Sequence, residues 1–473
     1  MGSEAPSARA LQTLWRAAGL PEAALACADV TGDAPVLPSS FAVATAAQSA
    51  LGAAALAAAE LWHLRSGVGQ RQRVTVDRTH ATLDSCAHFL IDGRQLPAWD
   101  PVSGLYACGP DGEAGWVRIH ANFAHHRDGA LRLLGLPPGD ATGRDAVQKA
   151  LRGWSAEAFE AEAANAGLVV AAARSFEQWD AHPQGQVLAA QPLVRIRRIE
   201  PAGQAPAALP WPALGDGAQP LAGLRVLELT RILAGPVAGR TLAAYGAEVM
   251  LVNSPSLPNI AAIADTSRGK RSVHVDLMDE PGRATLRGLA AQAHVFLQGY
   301  RPGALGAFGF APEDLARLRP GIVVVSLSAY GDEGPWGQRR GFDSLVQTAT
   351  GFNLAEAQAA GAHTPRALPL QILDYAAGYL LAFGAQAALW RQQQQGGSWH
   401  VQVSLAGVGH WLRSLGRVAG GLQAQAPAFG PYLVTEPSGF GALTALRHPA
   451  QFSHTPARWQ RPSMAPGSHP PVW

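Results

Sequence analysis

The sequence predicts an α/β protein in which a parallel sheet is joined by a small α+β domain and by long connecting helices. Two observations support this. After residue 220, apolar strand-like runs alternate with helical stretches, which is the pattern of a doubly wound parallel sheet. Two alanine-rich stretches, 41–64 and 373–390, are each long enough for a long helix and are each followed by a glycine turn and a strand-like run.

In chain order, five regions are expected. They are N-terminal helices with a degenerate helix–strand repeat (1–100), a small α+β domain (101–200), a linker rich in proline, alanine and glycine (201–219), a Rossmann-like domain (220–352), and a second helix–strand repeat with a C-terminal tail (353–473).

Five strands are predicted in the Rossmann-like domain, at 224–229, 247–252, 272–276, 294–297 and 322–327. Right-handed crossovers between such strands bring their carboxyl ends to one edge of the sheet, where ligands bind. In the small domain we expect strands at 116–120 and 168–172 with two amphipathic helices, near 127–135 and 143–165, between them. The shared helix, glycine turn and strand of 41–77 and 373–405 indicate an internal duplication.

Composition excludes several classes of function. The net charge is +2 over 473 residues, which gives no electrostatic case for a nucleic-acid partner. Cys27, Cys86 and Cys108 have the spacing of neither a zinc site nor a disulfide framework, so no metal is expected. The chain has no uninterrupted apolar run of the roughly 20 residues that a membrane span needs, and its start lacks the apolar core of a secretory signal. We therefore expect a cytoplasmic protein without a membrane partner.

Four stretches in the second half carry glycines beside basic residues or at strand ends. They are 221–236 running on to 245–249, then 268–273 with Asp276 and Leu277, then 299–303, and finally 326–331 followed by 341–343. In order and spacing these stretches resemble the family III CoA-transferases, the group that includes formyl-CoA transferase, carnitine-CoA transferase and α-methylacyl-CoA racemase. The small domain precedes the sheet here, whereas in the family it follows the second helix–strand unit, so the chain resembles a duplicated or permuted fusion.

The resemblance implies coenzyme A or an acyl-CoA as a substrate, with no permanently bound cofactor. Phosphate binding needs backbone amides at loop and helix starts, arginines, and glycines where the backbone must approach closely. The residues expected to contact CoA are Arg231, Ala234, Ser254, Lys270, Arg271, Val275, Asp276, Gly299, Tyr300, Arg301, Tyr330 and Gly331. Relatives of the formyl-CoA transferase type have basic residues where this chain has Ser254, Ala307 and Ser328, and Arg268, Lys270, Arg271 and Arg301 are the expected replacements.

The catalytic residue that the resemblance implies is missing from its usual position. Family transferases use an aspartate nucleophile, and alignment by spacing places Ala360 there. The nearest carboxylate is Glu356, either a displaced nucleophile or an exposed helix glutamate. The racemase branch uses a histidine and an aspartate, whose positions correspond to Phe342 and Asp374. Asp374 is therefore either a helix cap or a catalytic group.

The leading hypothesis is CoA transfer between carboxylic acids through an enzyme-bound carboxylate, with Asp374 and Glu356 as the candidate catalytic residues. Two alternatives stay open: racemisation or isomerisation at the α-carbon of an acyl-CoA, and a non-catalytic paralogue that binds CoA. The expected partners are an acyl-CoA, a carboxylic acid and a second copy in a homodimer. The adjacent histidines His125 and His126 are expected at the surface.

Overall fold

The computed structural model describes residues 5–110, 112–200 and 206–473. Residues 201–205, which open the predicted linker, and residues 1–4 lie outside the described residues. The strands are β1 Ala28–Thr31, β2 Val74–Asp77, β3 Phe89–Ile91, β4 Gly104–Ala107, β5 Trp116–Ile119, β6 Val170–Ala172, β7 Arg195–Arg198, β8 Arg225–Leu229, β9 Glu248–Asn253, β10 Lys270–His274, β11 Val295–Gln298, β12 Val323–Ser328, β13 Trp399–Ser404, β14 Leu433–Ser438, β15 Gly441–Leu446 and β16 Ala450–Phe452.

The α-helices are α1 Pro6–Ala17, α2 Val43–Ser66, α3 Arg78–Asp84, α4 Ala124–Leu133, α5 Arg144–Leu151, α6 Ala156–Asn165, α7 Phe176–Ala181, α8 Pro183–Ala189, α9 Ala234–Ala244, α10 Ile263–Thr266, α11 Glu280–Ala290, α12 Pro312–Leu318, α13 Asp343–Ala349, α14 Phe352–Ala359, α15 Ile372–Gln395 and α16 Leu405–Ser414. Helices thus alternate with strands from β8 to β13, as the sequence predicts.

A seven-stranded sheet forms the centre of the molecule, in the order β10-β9-β8-β11-β12-β13-β7. The six strands from β8 to β13 run parallel, and β7 pairs antiparallel with β13 at one edge. The order reverses between β8 and β11, so this is the switch point at which α/β sheets bind ligands. The predicted α/β class with a large, mostly parallel sheet is therefore confirmed.

A separate small core lies between Val102 and Ala172. Its sheet has the order β4-β5-β6 and is antiparallel, and helices α4, α5 and α6 complete it. The predicted helix over 143–165 is two helices, α5 and α6. Residues 195–198, which the sequence places in the small domain, form the edge strand β7 of the large sheet instead.

The two long helices of the repeated units pack against each other within this one chain. Helices α2 and α15 are both 24 residues long, and Gln386 on α15 donates a hydrogen bond to the carbonyl of Ala54 on α2. Their following strands separate, however: β13 enters the large sheet, whereas β2 lies in a small sheet between β1 and β16.

One helix among the described residues, α15, is long and apolar enough to cross a membrane by length and composition alone. Its apolar window is entirely buried inside the protein. That environment is what a core helix of a globular domain has.

Candidate functional site

A cleft of about 350 Å³ lies at the carboxyl edge of the large sheet, over the loops that follow β8, β11 and β12. We call it the edge cleft. The charged and aromatic side chains that line it are Phe123, His125, His126, Arg231, Tyr300, Arg301, Arg339, Arg340, Phe342 and Asp374. Because the cleft sits beside the β8/β11 switch point, its position is the one expected for a ligand site of this sheet.

A second cavity, of about 620 Å³, lies on the other side of the residues that floor the edge cleft. We call it the inner chamber. Four residues line both spaces: Ile232, Leu233, Phe342 and Asp374. The small domain supplies the side chains of Arg118, His120 and Asn122 to the chamber wall. The two spaces are therefore adjacent at Asp374.

Asp374 is the carboxylate at the junction of the two spaces. It stands in the first turn of α15 and is 8% exposed. The amide of Asp374 donates a 2.9 Å hydrogen bond to Oδ2 of Asp343, the first residue of α13. Asp343 therefore provides the hydrogen-bond acceptor at the start of α15. Asp374 does not cap this helix with its own side chain, which was one of the two roles considered for it.

The Asp343–Asp374 pair has raised pKa values. Burial raises the pKa of Asp343 to about 7, although the amide of Asp374 and the Gln347 side chain at 2.5 Å stabilise its anion. Burial, and then the charge of Asp343, raise the pKa of Asp374 well above its ordinary value. Two buried carboxylates cannot both ionise readily. Since the hydrogen-bond donors face Asp343, they favour the ionised form of Asp343 over that of Asp374.

Two buried histidines from the small domain flank Phe342. The His120 ring stacks on the Phe342 ring with centroids 4.0 Å apart, and His126 lies edge-on at 6.2 Å. Burial lowers the pKa of His120 to about 3 and that of His126 to about 4. Within the described residues, neither ring nitrogen of His126 has a hydrogen-bond partner. The expectation that His125 and His126 are both surface residues is wrong for His126, which is 6% exposed.

The turn after β8 is strained. Ile232 has a φ of 73°, in the left-handed region that a β-branched side chain rarely adopts. Three residues later, Gly235 must be glycine, because a Cβ there would lie 2.4 Å from the Cβ of Thr230. This turn starts α9 and places Ile232 and Leu233 between the edge cleft and the inner chamber.

Six predicted site residues line the edge cleft: Arg231, Ala234, Gly299, Tyr300, Arg301 and Asp374. Gly331 lines a neighbouring groove of about 230 Å³, which shares Arg301, Pro302, Leu327 and Ser328 with the cleft and also contains Arg195, Arg197 and His400. We call it the outer groove. Tyr330 is buried against the rings of Trp179 and Trp336 and lines neither space.

The predicted residues around β9 and β10 lie away from both spaces, because these strands are at the far side of the sheet. Lys270 is fully buried, where its ammonium contacts Glu228 at 2.8 Å and the carbonyl of Pro236. Arg268, offered as a substitute phosphate ligand, is 2% exposed and paired with Asp265. These two cations hold buried carboxylates, so their predicted contact with CoA does not fit the structure.

Four further predicted contacts have other partners. Arg271 donates to the carbonyl of Val472 at 2.8 Å, and the carboxylate of Asp276 accepts from the amide of Met278 at 2.9 Å. The hydroxyl of Ser254 lies 3.0 Å from that of Ser256, and Val275 belongs to a buried apolar cluster. None of the four lines the edge cleft, the inner chamber or the outer groove.

Glu356 is not the exposed helix glutamate that the sequence indicates. It is fully buried on α14, and its two carboxylate oxygens accept the amide of Ser40 at 3.0 and 3.1 Å. The Ser40 hydroxyl donates to it as well. Glu356 therefore ties the N-terminal segment to α14 and lines neither cavity.

Sequence reasoning missed the contribution of the small domain, above all Arg118 and His120. The sequence of β5 could have indicated this contribution, because an arginine stands among mostly apolar residues in that strand. A buried arginine needs a partner or a ligand. The described residues contain no cluster of three or more His, Cys, Asp or Glu arranged to hold a metal ion.

The fold and the cleft define an α/β protein with an acid at the base of an arginine-lined ligand site. Residues 221–427 match the model of CoA-transferase family III, and the chain belongs to that family. It is 32% identical over 73% of its length to an acyl-CoA transferase of Gibberella moniliformis, of which the match covers 66%.

Two further relatives are bacterial. The chain is 36% identical over 42% of its length to the probable fatty acyl-CoA transferase Rv3272 of Mycobacterium tuberculosis, covering 53% of that protein. It is 32% identical over 40% of its length to a succinate–glutarate CoA-transferase of Agrobacterium fabrum, covering 52% of it. The chain thus spans between about half and two thirds of the length of these relatives. A crystal structure of Rv3272 covers 42% of this chain and 58% of its own, with 35% identity and a TM-score of 0.38.

Proposed function

We propose that this protein transfers CoA from an acyl-CoA to a second carboxylic acid, and that Asp374 is the carboxylate that carries the acyl group and the CoA. The observation on which this rests is the position of Asp374. Of the two carboxylates that the sequence singles out, Asp374 lines both the edge cleft and the inner chamber, and Glu356 lines neither. The names of the relatives, all CoA-transferases or acyl-CoA transferases, support the reaction class.

The coenzyme would lie along the edge cleft and the outer groove, which join at Arg301 and Ser328. Exposed Arg301 and Arg340 could reach the phosphates, since a guanidinium binds phosphate through two parallel hydrogen bonds. The pantetheine thiol would then point towards Asp374. Arg195, in contrast, is already paired with Asp332 and Glu333 and is less available.

The proposed chemistry balances without a net proton, because Asp374 first passes its proton to the ionised Asp343 of the pair and takes it back at the end of the cycle. A carboxylate oxygen of Asp374 attacks the thioester carbonyl, the carbon–sulfur bond breaks, and CoA leaves as the thiolate. The thiolate attacks the aspartyl carbon of the resulting anhydride and releases the donor acid as its carboxylate. The acceptor carboxylate then attacks the aspartyl thioester, and the same two steps in reverse yield the new acyl-CoA and free Asp374.

Covalent trapping tests this proposal. The protein is mixed with acetyl-CoA and then hydroxylamine, and the peptide that contains Asp374 is examined by mass spectrometry for a hydroxamate. We expect the hydroxamate on Asp374 in the native protein and none in Asp374→Asn. Asp145→Asn, which changes an exposed carboxylate on α5, is the control. CoA binding without any adduct or exchange between acids would favour the non-catalytic alternative instead, consistent with Ala360 at the usual nucleophile position.

A second candidate, proton exchange at the α-carbon of an acyl-CoA, is favoured by one observation. Asp374, with a raised pKa, and His126, with a lowered pKa, line the same cleft and could serve as an acid and a base. Incorporation of deuterium from D₂O at the α-carbon would support it, because CoA transfer alone does not require exchange. The predicted homodimer and cytoplasmic location stay predictions.

A further inference from the structure

Arg118 is a buried cation without an anionic partner. It lies on β5 and is 8% exposed. Within the described residues its side chain forms neither an ion pair nor a hydrogen bond, and its Nε is fully enclosed without an acceptor. Its one ring neighbour is Trp99, whose centroid is 5.3 Å from the guanidinium carbon. Burying a guanidinium in this way is costly unless an anion arrives to share the site.

Arg118 lines the inner chamber, and the acidic groups that line the same chamber do not form an ion pair with it. Asp100 is held 3.6 Å from Arg127 and accepts the amide of Val102. Burial raises the pKa of Asp374 and lowers that of His120 to about 3, so both environments favour the neutral side chain. Asp343 attracts Arg118 through space but forms no ion pair with it. The chamber therefore carries the positive charge of Arg118, with which no carboxylate of its wall forms an ion pair.

The position of Arg118 in the inner chamber determines which part of a bound acyl group it contacts. The edge cleft and the chamber share Ile232, Leu233, Phe342 and Asp374 in their walls, whereas Arg118 lines the chamber alone. A thioester carbonyl at Asp374 thus leaves the remainder of the acyl group to run into the chamber. An anion at Arg118 belongs to the far end of that group and not to the reacting carbonyl.

We propose that the inner chamber binds the distal carboxylate of a dicarboxylic acyl group and that Arg118 is the residue that selects it. This inference rests on the proposed function, because it takes Asp374 as the point where the thioester reacts. A fatty acyl chain would press methylene groups against a buried cation and leave it unpaired. A cationic acyl group would be repelled by it. The five donors of a guanidinium match a carboxylate, since two parallel hydrogen bonds can form.

A pair of thioesters with the same number of carbons provides the test. Adipoyl-CoA and hexanoyl-CoA differ at the far end, where one has a carboxylate and the other a methyl group. Binding is measured by calorimetry, and transfer by the KM and kcat of each thioester as donor to acetate. We expect adipoyl-CoA to bind about 10- to 100-fold more tightly, the range for a hydrogen-bonded charged pair.

Three variants assign the preference to Arg118. Arg118→Gln should abolish the preference by raising the KM for adipoyl-CoA towards that for hexanoyl-CoA, and Arg118→Lys should restore part of it. Arg132→Gln, on an exposed residue of α4 in the same small domain, is the matched control. Should Arg118→Gln fail to fold, the native protein and Arg118→Lys still decide between the outcomes.

Equal affinity for the two thioesters in the native protein would overturn the inference and leave CoA transfer standing. A preference that survives Arg118→Gln would overturn the role of Arg118. Preferential binding of adipoyl-CoA in a protein that transfers neither acyl group would support the chamber assignment while the proposed reaction fails. The binding and transfer measurements thus separate the two claims.

Discussion

The two helix–strand units share their local order and differ in what their long helices meet at the N-terminal end. Counting from the first residue of each helix, Thr45 on α2 occupies the place that Asp374 occupies on α15. The Thr45 hydroxyl accepts a hydrogen bond from Arg78, which also donates to the Ser7 hydroxyl, so that end is closed. The start of α15 faces two cavities. A ligand site therefore depends on the neighbours of a helix as well as on the helix.

Substituting the third residue of each long helix, Asp374 in α15 and Thr45 in α2, gives the largest expected difference in the rate of CoA transfer. Asp374→Asn should lower the rate of CoA transfer by at least about 1,000-fold, because an amide cannot act as the carboxylate nucleophile. Thr45→Val should leave the rate unchanged while lowering the free energy of unfolding by about 1–3 kcal/mol, because one donor of Arg78 loses its acceptor. Steady-state assays and urea unfolding measure the two effects. Equal loss of rate in both variants would contradict the difference drawn between the helix starts.

The contact between the first unit and the sheet depends on a buried charge network. Asp84 on α3 accepts from Arg240 on α9 at 2.8 Å and from the hydroxyl of Tyr379 on α15. Arg240 also contacts Asp265. Asp84→Leu should cost about 3–5 kcal/mol in the free energy of unfolding, because it removes one partner and leaves buried charge behind. Asp216→Leu, at an exposed residue of the linker, is the control, and a loss below about 1 kcal/mol for Asp84→Leu would show that α2 and α3 dock by apolar packing alone.

The pH dependence of the rate distinguishes CoA transfer from proton exchange as the reaction at Asp374. A carboxylate nucleophile must be ionised, and burial raises the pKa of Asp343 in the coupled pair to about 7. Transfer should therefore rise about tenfold per pH unit below pH 7 and level off above it. Proton exchange with Asp374 as the acid should instead show no rise through pH 7, because the raised pKa of Asp374 keeps its acid form present. Profiles of kcat from pH 5.5 to 8.5, with and without D₂O, measure both.

A smaller effect concerns the approach of α15 to the cleft. A Cβ on Gly378 would lie 2.6 Å from the carbonyl oxygen of Ala234 at the start of α9. Gly378→Ala should lower the free energy of unfolding by about 1–3 kcal/mol and raise the KM for acyl-CoA, because Ala234 lines the edge cleft. Gly288→Ala in α11, where a Cβ meets nothing, should stabilise by about 0.5–1 kcal/mol. Equal changes in melting temperature for both variants would contradict this account.

Most of the sheet could be predicted from the sequence. The strand predicted at 294–297 is Val295–Gln298, and the one predicted at 322–327 is Val323–Ser328. Strands buried on both faces are continuous apolar runs, which is a local property of the chain. Among the site residues, Arg231, Tyr300 and Arg301 follow such strands, and their place at the carboxyl edge follows from parallel order alone.

The sequence by itself determined the alternation of strands and helices and the loops that end at the carboxyl edge, because both depend on neighbouring residues. Only the tertiary structure decided which charges remain available. Lys270 donates to Glu228, which lies 42 positions earlier in the chain, whereas no carboxylate among residues 5–110, 112–200 and 206–473 forms an ion pair with Arg118. Whether a charged side chain is buried, and whether it is paired, depends on residues that are remote in sequence. The free-energy cost of an unpaired charge depends on those same neighbours.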